Sequence, residues 1–300
     1  MRCMELDPSG PAAGSARALG ARLGVEKPLL DVTGRPGRLS KESLRELWRF
    51  REVLWAFLVR LVRVRYKQAM VGIGWAVLQP ILAAVIFAVF LGQLSQLGSE
   101  GEPYLLFALA GMVAWTYFST ACGTAIDSLI INQDLLRKIY FPREVLPLAS
   151  IGAALIDLIP GLATLVVAGA AFGVRPSTAW LAAPIPIVVL VIAAAGFSLA
   201  LSAVNVYYRD VRYALPFVLS LGLFASPVVY SVDVVPERWR DLYMILNPIA
   251  AAIDAFRQIF VHGAWPDFKV QAGAMGWALA VSAASFVVFK RLERDFSDRV

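Results

Sequence analysis

A chain of 300 residues with 59% hydrophobic and only 17% charged side chains is too poor in charge for a soluble protein, where such residues supply ~25% of the chain. The mean hydropathy of +0.66 agrees. The net charge of +6 does not mark a nucleic-acid binder, because the bases stand at the ends of apolar runs and form no separate basic domain.

Residues 1–40 are rich in Gly, Pro, Ala and Arg and lack a long apolar core. They read as a flexible cytoplasmic tail and not as a cleaved signal peptide. Segment 41–67 reads as an amphipathic interfacial helix. Leu44, Leu47, Trp48, Trp55, Leu58 and Val62 recur at three- and four-residue steps, with Glu42, Arg45, Glu46, Arg49 and Glu52 mostly opposite. Towards its end the charge becomes uniformly positive: Arg60, Arg63, Arg65 and Lys67 stand among Leu61, Val62, Val64 and Tyr66. An uncharged run from Val71 to Ser99 follows at once, the pattern of an interfacial helix leading into a first transmembrane helix.

A spanning helix needs ~20 predominantly apolar residues, and six runs qualify: 71–94, 104–126, 145–172, 180–205, 212–231 and 270–289. Pro176, Pro184 and Pro186 predict an interfacial turn ahead of the fourth. Segment 242–261 has a short apolar core, is broken by Asn247-Pro248 and contains Asp254 and Arg257. It reads as short re-entrant or interfacial outer helices between spans five and six. The predicted fold class is therefore all-α integral membrane. A tail (1–40) and an interfacial helix (41–67) precede a six-helix transmembrane domain (68–290) and a short cytoplasmic tail (291–300). With both termini cytoplasmic, only Arg175, Arg238, Arg240, Arg257 and Lys269 of the 28 Lys and Arg residues fall outside, a strong positive-inside bias.

Catalytic motifs are missing. There is no Gly-x-x-x-x-Gly-Lys-Ser/Thr loop, so the energy for any active transport must come from another subunit or from an ion gradient. Cys3 and Cys122 give no disulfide framework, and the single His262 leaves no His/Cys metal cluster. No internal repeat supports an inverted-repeat carrier. The connection Asp127–Arg143 is long enough for one helix, and Leu135, Leu136, Ile139, Tyr140 and Phe141 beside Arg137 and Lys138 predict a surface that docks on a partner or on the bilayer. Tyr207 to Arg212 reads as interface anchoring with a local ion pair. Asp157 is the one charge deep in a span, which requires a cavity or a partner. Outside, Asp233, Glu237, Arg238, Trp239, Arg240, Tyr243 and Trp265 suit either sugar stacking or a plain aromatic belt.

Several segments together resemble a known family. They are Val64-Arg65-Tyr66-Lys67-Gln68, Gly72 through Pro80, Lys138 through Arg143, Asn205 through Val211, Ser226-Pro227-Val228-Val229-Tyr230 and Leu246-Asn247-Pro248. In that order they are similar to the membrane subunits of ABC-type polysaccharide exporters, the O-antigen, capsule and teichoic-acid group. The resemblance implies a homodimer of six-helix permeases with two copies of a cytosolic ABC ATPase beneath it, which carries the ATP and Mg. It implies no catalytic residue, metal or cofactor on this chain. It makes Asn132, Asp134, Leu135, Leu136, Arg137, Lys138, Tyr140 and Phe141 the ATPase-coupling segment. Phe87, Phe90, Trp115, Tyr117 and Tyr230 become glycan channel or gate candidates by depth alone. The expected substrate is a lipid-linked polysaccharide in a cytoplasmic (inner) membrane, with Arg60, Arg63, Arg65 and Lys67 holding its pyrophosphate head group. The alternatives are a permease for a small molecule such as a drug, and a membrane-embedded glycan-processing enzyme.

Overall fold

The computed structural model describes residues 41–67, 73–91, 103–138 and 141–293, with side chains given for most of them. The expectations for the tail at 1–40, Ile139, Tyr140 and the end of the chain beyond 293 lie outside the described residues, as do the side chains of Glu42, Leu44, Arg137 and Lys138.

The amphipathic segment folds as two helices, α1 (Lys41–Arg49) and α2 (Arg51–Lys67). Backbone bonding carries through Phe50, whose amide donates to Glu46 and whose carbonyl accepts from Leu54, both at 3.0 Å. The pair packs Phe50, Val53, Leu54 and Phe57, all partly buried, against Phe141, Val145 and Leu146. Trp48 and Trp55, which the spacing put on the apolar side, are exposed together with most of the charged residues. After α3 (Ile73–Leu91) comes α4 (Tyr104–Ile131), the central helix, buried over most of its length. Small residues make that possible: Ala108, Ala110, Gly111, Ala114, Ala121 and Ala125 let neighbouring helices approach without a hydrophobic driving force from water. A short helix α5 (Gln133–Lys138) leads to α6 (Val145–Ala171), which packs along α4.

Helix α6 ends where Gly173 takes a φ of +85° and Val174 donates back to Gly169 at 2.9 Å, the left-handed cap that glycine permits. The Pro-rich turn appears as predicted. A 3-10 segment, Thr178–Ala182, is capped by the Ser177 hydroxyl, and Pro184 opens α7 (Pro184–Tyr207). Helix α7 pairs with the last helix, α11 (Phe268–Leu292), through Ser282, which donates to the Ile192 carbonyl at 2.8 Å beside Gly196. The chain is all-α as expected, with no strand among the described residues.

The fifth run differs from expectation. Helix α8 (Asp210–Ala225) stops well before residue 231, because Pro227 confines Ser226 to an extended backbone. Two short helices follow, α9 (Glu237–Leu246) and α10 (Pro248–Phe260), and the Asn247 side chain caps α10 at the break the sequence marked. Among the described residues four helices are long and apolar enough to cross a membrane: α4, α6, α7 with its leading turn, and α11. The other two runs form shorter helices, 19 residues in α3 and 16 in α8.

Candidate functional site

Asp157 stands on α6 at roughly 18 Å from the helix start, at ~1.5 Å per residue. Its carboxylate receives both the Arg65 guanidinium and the Tyr66 hydroxyl from the end of α2. A charge at membrane depth is tolerated when paired, and here the pair ties the interfacial helix to the core bundle. Partial burial and the bond to Asp157 push the Tyr66 hydroxyl up to about 12, so it keeps its proton and its role as donor at any physiological pH. Gly152, one turn and a half nearer the start of α6, takes Leu58 of α2 in the space a larger side chain would fill.

A cavity of about 510 Å³ opens beside this clamp. Arg65, Tyr66 and Asp157 form one wall, and Trp75, Gln79 and Pro80 of α3 another. From α4 come Val113, Thr116, Tyr117 and Thr120, spaced so that they share one helix face. Tyr117 is only 2% exposed, yet its hydroxyl finds no hydrogen-bond partner among the described residues. Leaving a buried hydroxyl unpaired is costly.

The bases of α2 divide between two faces. Arg65 turns inward to Asp157, whereas Arg60, Arg63 and Lys67 are exposed and share a hollow with Trp55, Val59 and Val64. None of those three is ion-paired among the described residues. The sequence grouped all four bases; helical geometry separates one from the rest.

In the connection after α4, Asn132 caps the helix by donating its side-chain amide to the Ser128 carbonyl at 2.8 Å. Asp134 is exposed, and Leu135 and Leu136 are half-buried towards the interfacial pair. Phe141 is not on the surface: it is 5% exposed, with its ring 5.5 Å from that of Phe57. The docking face expected from sequence is therefore reduced. Phe141 fastens the segment to α2 from inside, while Ile131, Gln133 and Asp134 are left outermost among the described side chains. Below the same corner, Lys290 bonds Glu144 and Glu293, both at 2.9 Å. Burial raises the Glu144 carboxyl above its usual range, and the Lys290 ammonium draws it partly back. Tyr207 donates to the Leu292 carbonyl at 2.7 Å, and Arg212 pairs at 3.3 Å with Asp127 of α4, so the ion pair of that turn is made across helices and not locally as the sequence suggested.

The sequence marked Arg257 but did not anticipate its role. It is 3% exposed, donates to the carbonyls of Val228 (2.7 Å), Tyr230 (3.3 Å) and Phe107 (3.3 Å), and lies 3.5 Å over the Phe107 ring. These bonds occupy carbonyls that the irregular stretch after α8 would otherwise leave unpaired at membrane depth. A lone cation in the apolar run of α10 was the signal for such a role. Of the channel candidates, Trp115 and Tyr117 are buried within the chain, Phe87 and Tyr230 are half-buried, and Phe90 is exposed. The Tyr230 hydroxyl donates to the Phe224 carbonyl at 3.1 Å. The five do not converge on one surface of a single copy.

Comparison with known proteins places this geometry. The description "ABC-2 type transporter" matches residues 52–261, from α2 through the end of α10. The O-antigen export system permease protein RfbA of Myxococcus xanthus is 27% identical over 262 residues, covering 86% of this chain and 98% of that protein. A Klebsiella pneumoniae protein of the same name is 28% identical, over 67% of this chain and 77% of its own. The polysialic acid transport protein KpsM of Escherichia coli is 22% identical over 69% and 81%. The matched span takes in the clamp, the cavity, the connection after α4 and the Arg257 staple, and by that match the chain belongs to the ABC-2 type transporter family.

Proposed function

We propose that this chain is the membrane subunit of an ATP-driven exporter of a lipid-linked polysaccharide, working as a homodimer with two copies of a separate ABC ATPase. Its relatives are named for O-antigen export and polysialic acid transport, and the likeness to the first runs nearly end to end in that protein. The observation that carries the reading is the division of bases on α2. Arg60, Arg63 and Lys67 stand exposed and unpaired among the described residues, at the entrance to the first apolar helix. Each base at such a place is worth ~1 kcal/mol towards an anionic lipid, which suits capture of a pyrophosphate head group from the cytoplasmic leaflet. The segment Asn132–Lys138, fastened to α2 through Phe57 and Phe141, is suited to pass the movement of an ATPase to the entrance helix. In this reading both termini are cytoplasmic, all six apolar runs cross the membrane, and α9 with α10 forms an outer gate.

Deletion of the gene tests the assignment. The expected result is loss of surface carbohydrate with lipid-linked glycan accumulating inside. Export of a small molecule is the second reading, favoured by a cavity of about 510 Å³, well within the usual range for drug-sized ligands. In that case deletion changes drug resistance and leaves the envelope carbohydrate intact.

A further inference from the structure

We propose that the cavity between α2, α3, α4 and α6 is a saccharide subsite that holds an uncharged sugar unit of the moving chain. The inference rests on the exporter reading given above and adds a binding site at the cytoplasmic half of the membrane.

Four observations carry it. First, the cavity's charges cancel. Arg65 is committed to Asp157, so a phosphate there would meet the Asp157 carboxylate without a free cation to offset it. The phosphate-binding chemistry lies instead on the opposite face of α2, with Arg60, Arg63 and Lys67. Second, the groups left for a ligand are neutral. Thr116, Thr120 and Gln79 offer hydroxyl and amide donors and acceptors, which match sugar hydroxyls. Third, Tyr117 lines the cavity and adds an aromatic side chain to its wall. Fourth, Trp75 lies at the rim, 59% exposed, and supplies an apolar ring face of the kind on which the C–H face of a sugar packs. A volume of about 510 Å³ falls within the range of small-ligand pockets.

The two faces of α2 then have complementary tasks. The exposed bases take the charged head group, and the cavity takes neutral sugar close behind it. Since Arg65 and Tyr66 lie in the cavity wall and Arg60 and Arg63 sit one turn back on the same helix, both tasks are carried by one rigid element.

The test is photo-crosslinking in cells that make the glycan, with p-benzoyl-phenylalanine placed at Trp75 and the ATPase partner present. After irradiation the permease band is oxidised with periodate and probed with a biotin hydrazide for carbohydrate. The expected result is a carbohydrate-bearing crosslink that disappears when glycan synthesis is blocked. In a Thr116→Val background the crosslink should weaken by about fivefold, the size of one neutral hydrogen bond, with permease level and recovery of the ATPase unchanged. Thr120→Val should act in the same direction, which guards against a misfolded Thr116→Val protein. A crosslink carrying only phospholipid, or none, in cells whose surface glycan depends on the gene would overturn the subsite while sparing the exporter reading. Surface glycan that is indifferent to deletion of the gene would overturn both.

Discussion

Asp157 and its two partners show how one side chain organises the entrance. The carboxylate at membrane depth is stable because Arg65 and Tyr66 both reach it, and removing the charge leaves Arg65 partly buried and unpaired. Asp157→Asn should therefore lower the stability of the detergent-solubilised protein by about 1–3 kcal/mol. Addition of Arg65→Gln should recover part of that loss, since the second change removes the orphaned cation. A thermal unfolding series on the two single variants and the double reads the coupling directly. A second residue-level expectation concerns Gly111. A Cβ there would lie 2.4 Å from the Val228 carbonyl oxygen and 3.1 Å from the Arg257 guanidinium, so Gly111→Ala must displace the Arg257 staple. Gly123 meets nothing within 4 Å, and Gly123→Ala should be neutral or slightly stabilising by its gain in helix propensity. Equal thermal midpoints for the two alanine variants would contradict the staple. At this scale the sequence was half legible: Asp157 and Arg257 stood out as charges in apolar runs, but their partners lie dozens of residues away, and no periodicity points to a contact across helices.

The elements were more legible than the contacts. The interfacial pair, the Pro-rich turn before α7 and the break at Asn247 follow from spacing, capping residues and proline, all of which are local. The end of α8 was missed because an apolar count does not see Pro227, whereas the backbone does. Grouping Arg65 with Arg60, Arg63 and Lys67 likewise ignored which way each base turns on the helix. That separation yields a prediction at the level of α2. Replacing Arg60, Arg63 and Lys67 together by Glu should abolish export while the protein still folds and still recovers its ATPase, because none of the three holds the helix in place among the described residues. Arg65→Glu should instead loosen α2 from α6 and reduce the protein level itself. Normal surface carbohydrate in the triple variant, at matched protein level, would remove head-group capture from the account.

For the whole molecule the question is what covers the apolar faces that one copy leaves open. Tyr213, Phe217, Leu221 and Phe224 form a stripe along α8, each more than half exposed, and they recur at helical spacing. In the exporter reading a second copy covers part of this surface and the glycan path runs between the two. Leu221→Cys, in a background lacking Cys3 and Cys122, should give an oxidant-dependent covalent dimer in native membranes, while a cysteine at Val167, exposed on α6, serves as the comparison. Only the fold class and the six apolar runs of this larger assembly could be read from the residues themselves, since an apolar stripe such as that on α8 does not say whether lipid, the subunit's own bundle or a second copy covers it. An exporter driven by ATP needs an ABC ATPase bound to this chain, a demand that a single experiment can test. The tagged protein should be extracted gently from its own membranes and its bound partners identified by mass spectrometry. The account predicts an ABC ATPase recovered in amounts equal to the permease. Recovery of the permease alone, with crosslinking before extraction also finding no ATPase, would contradict it.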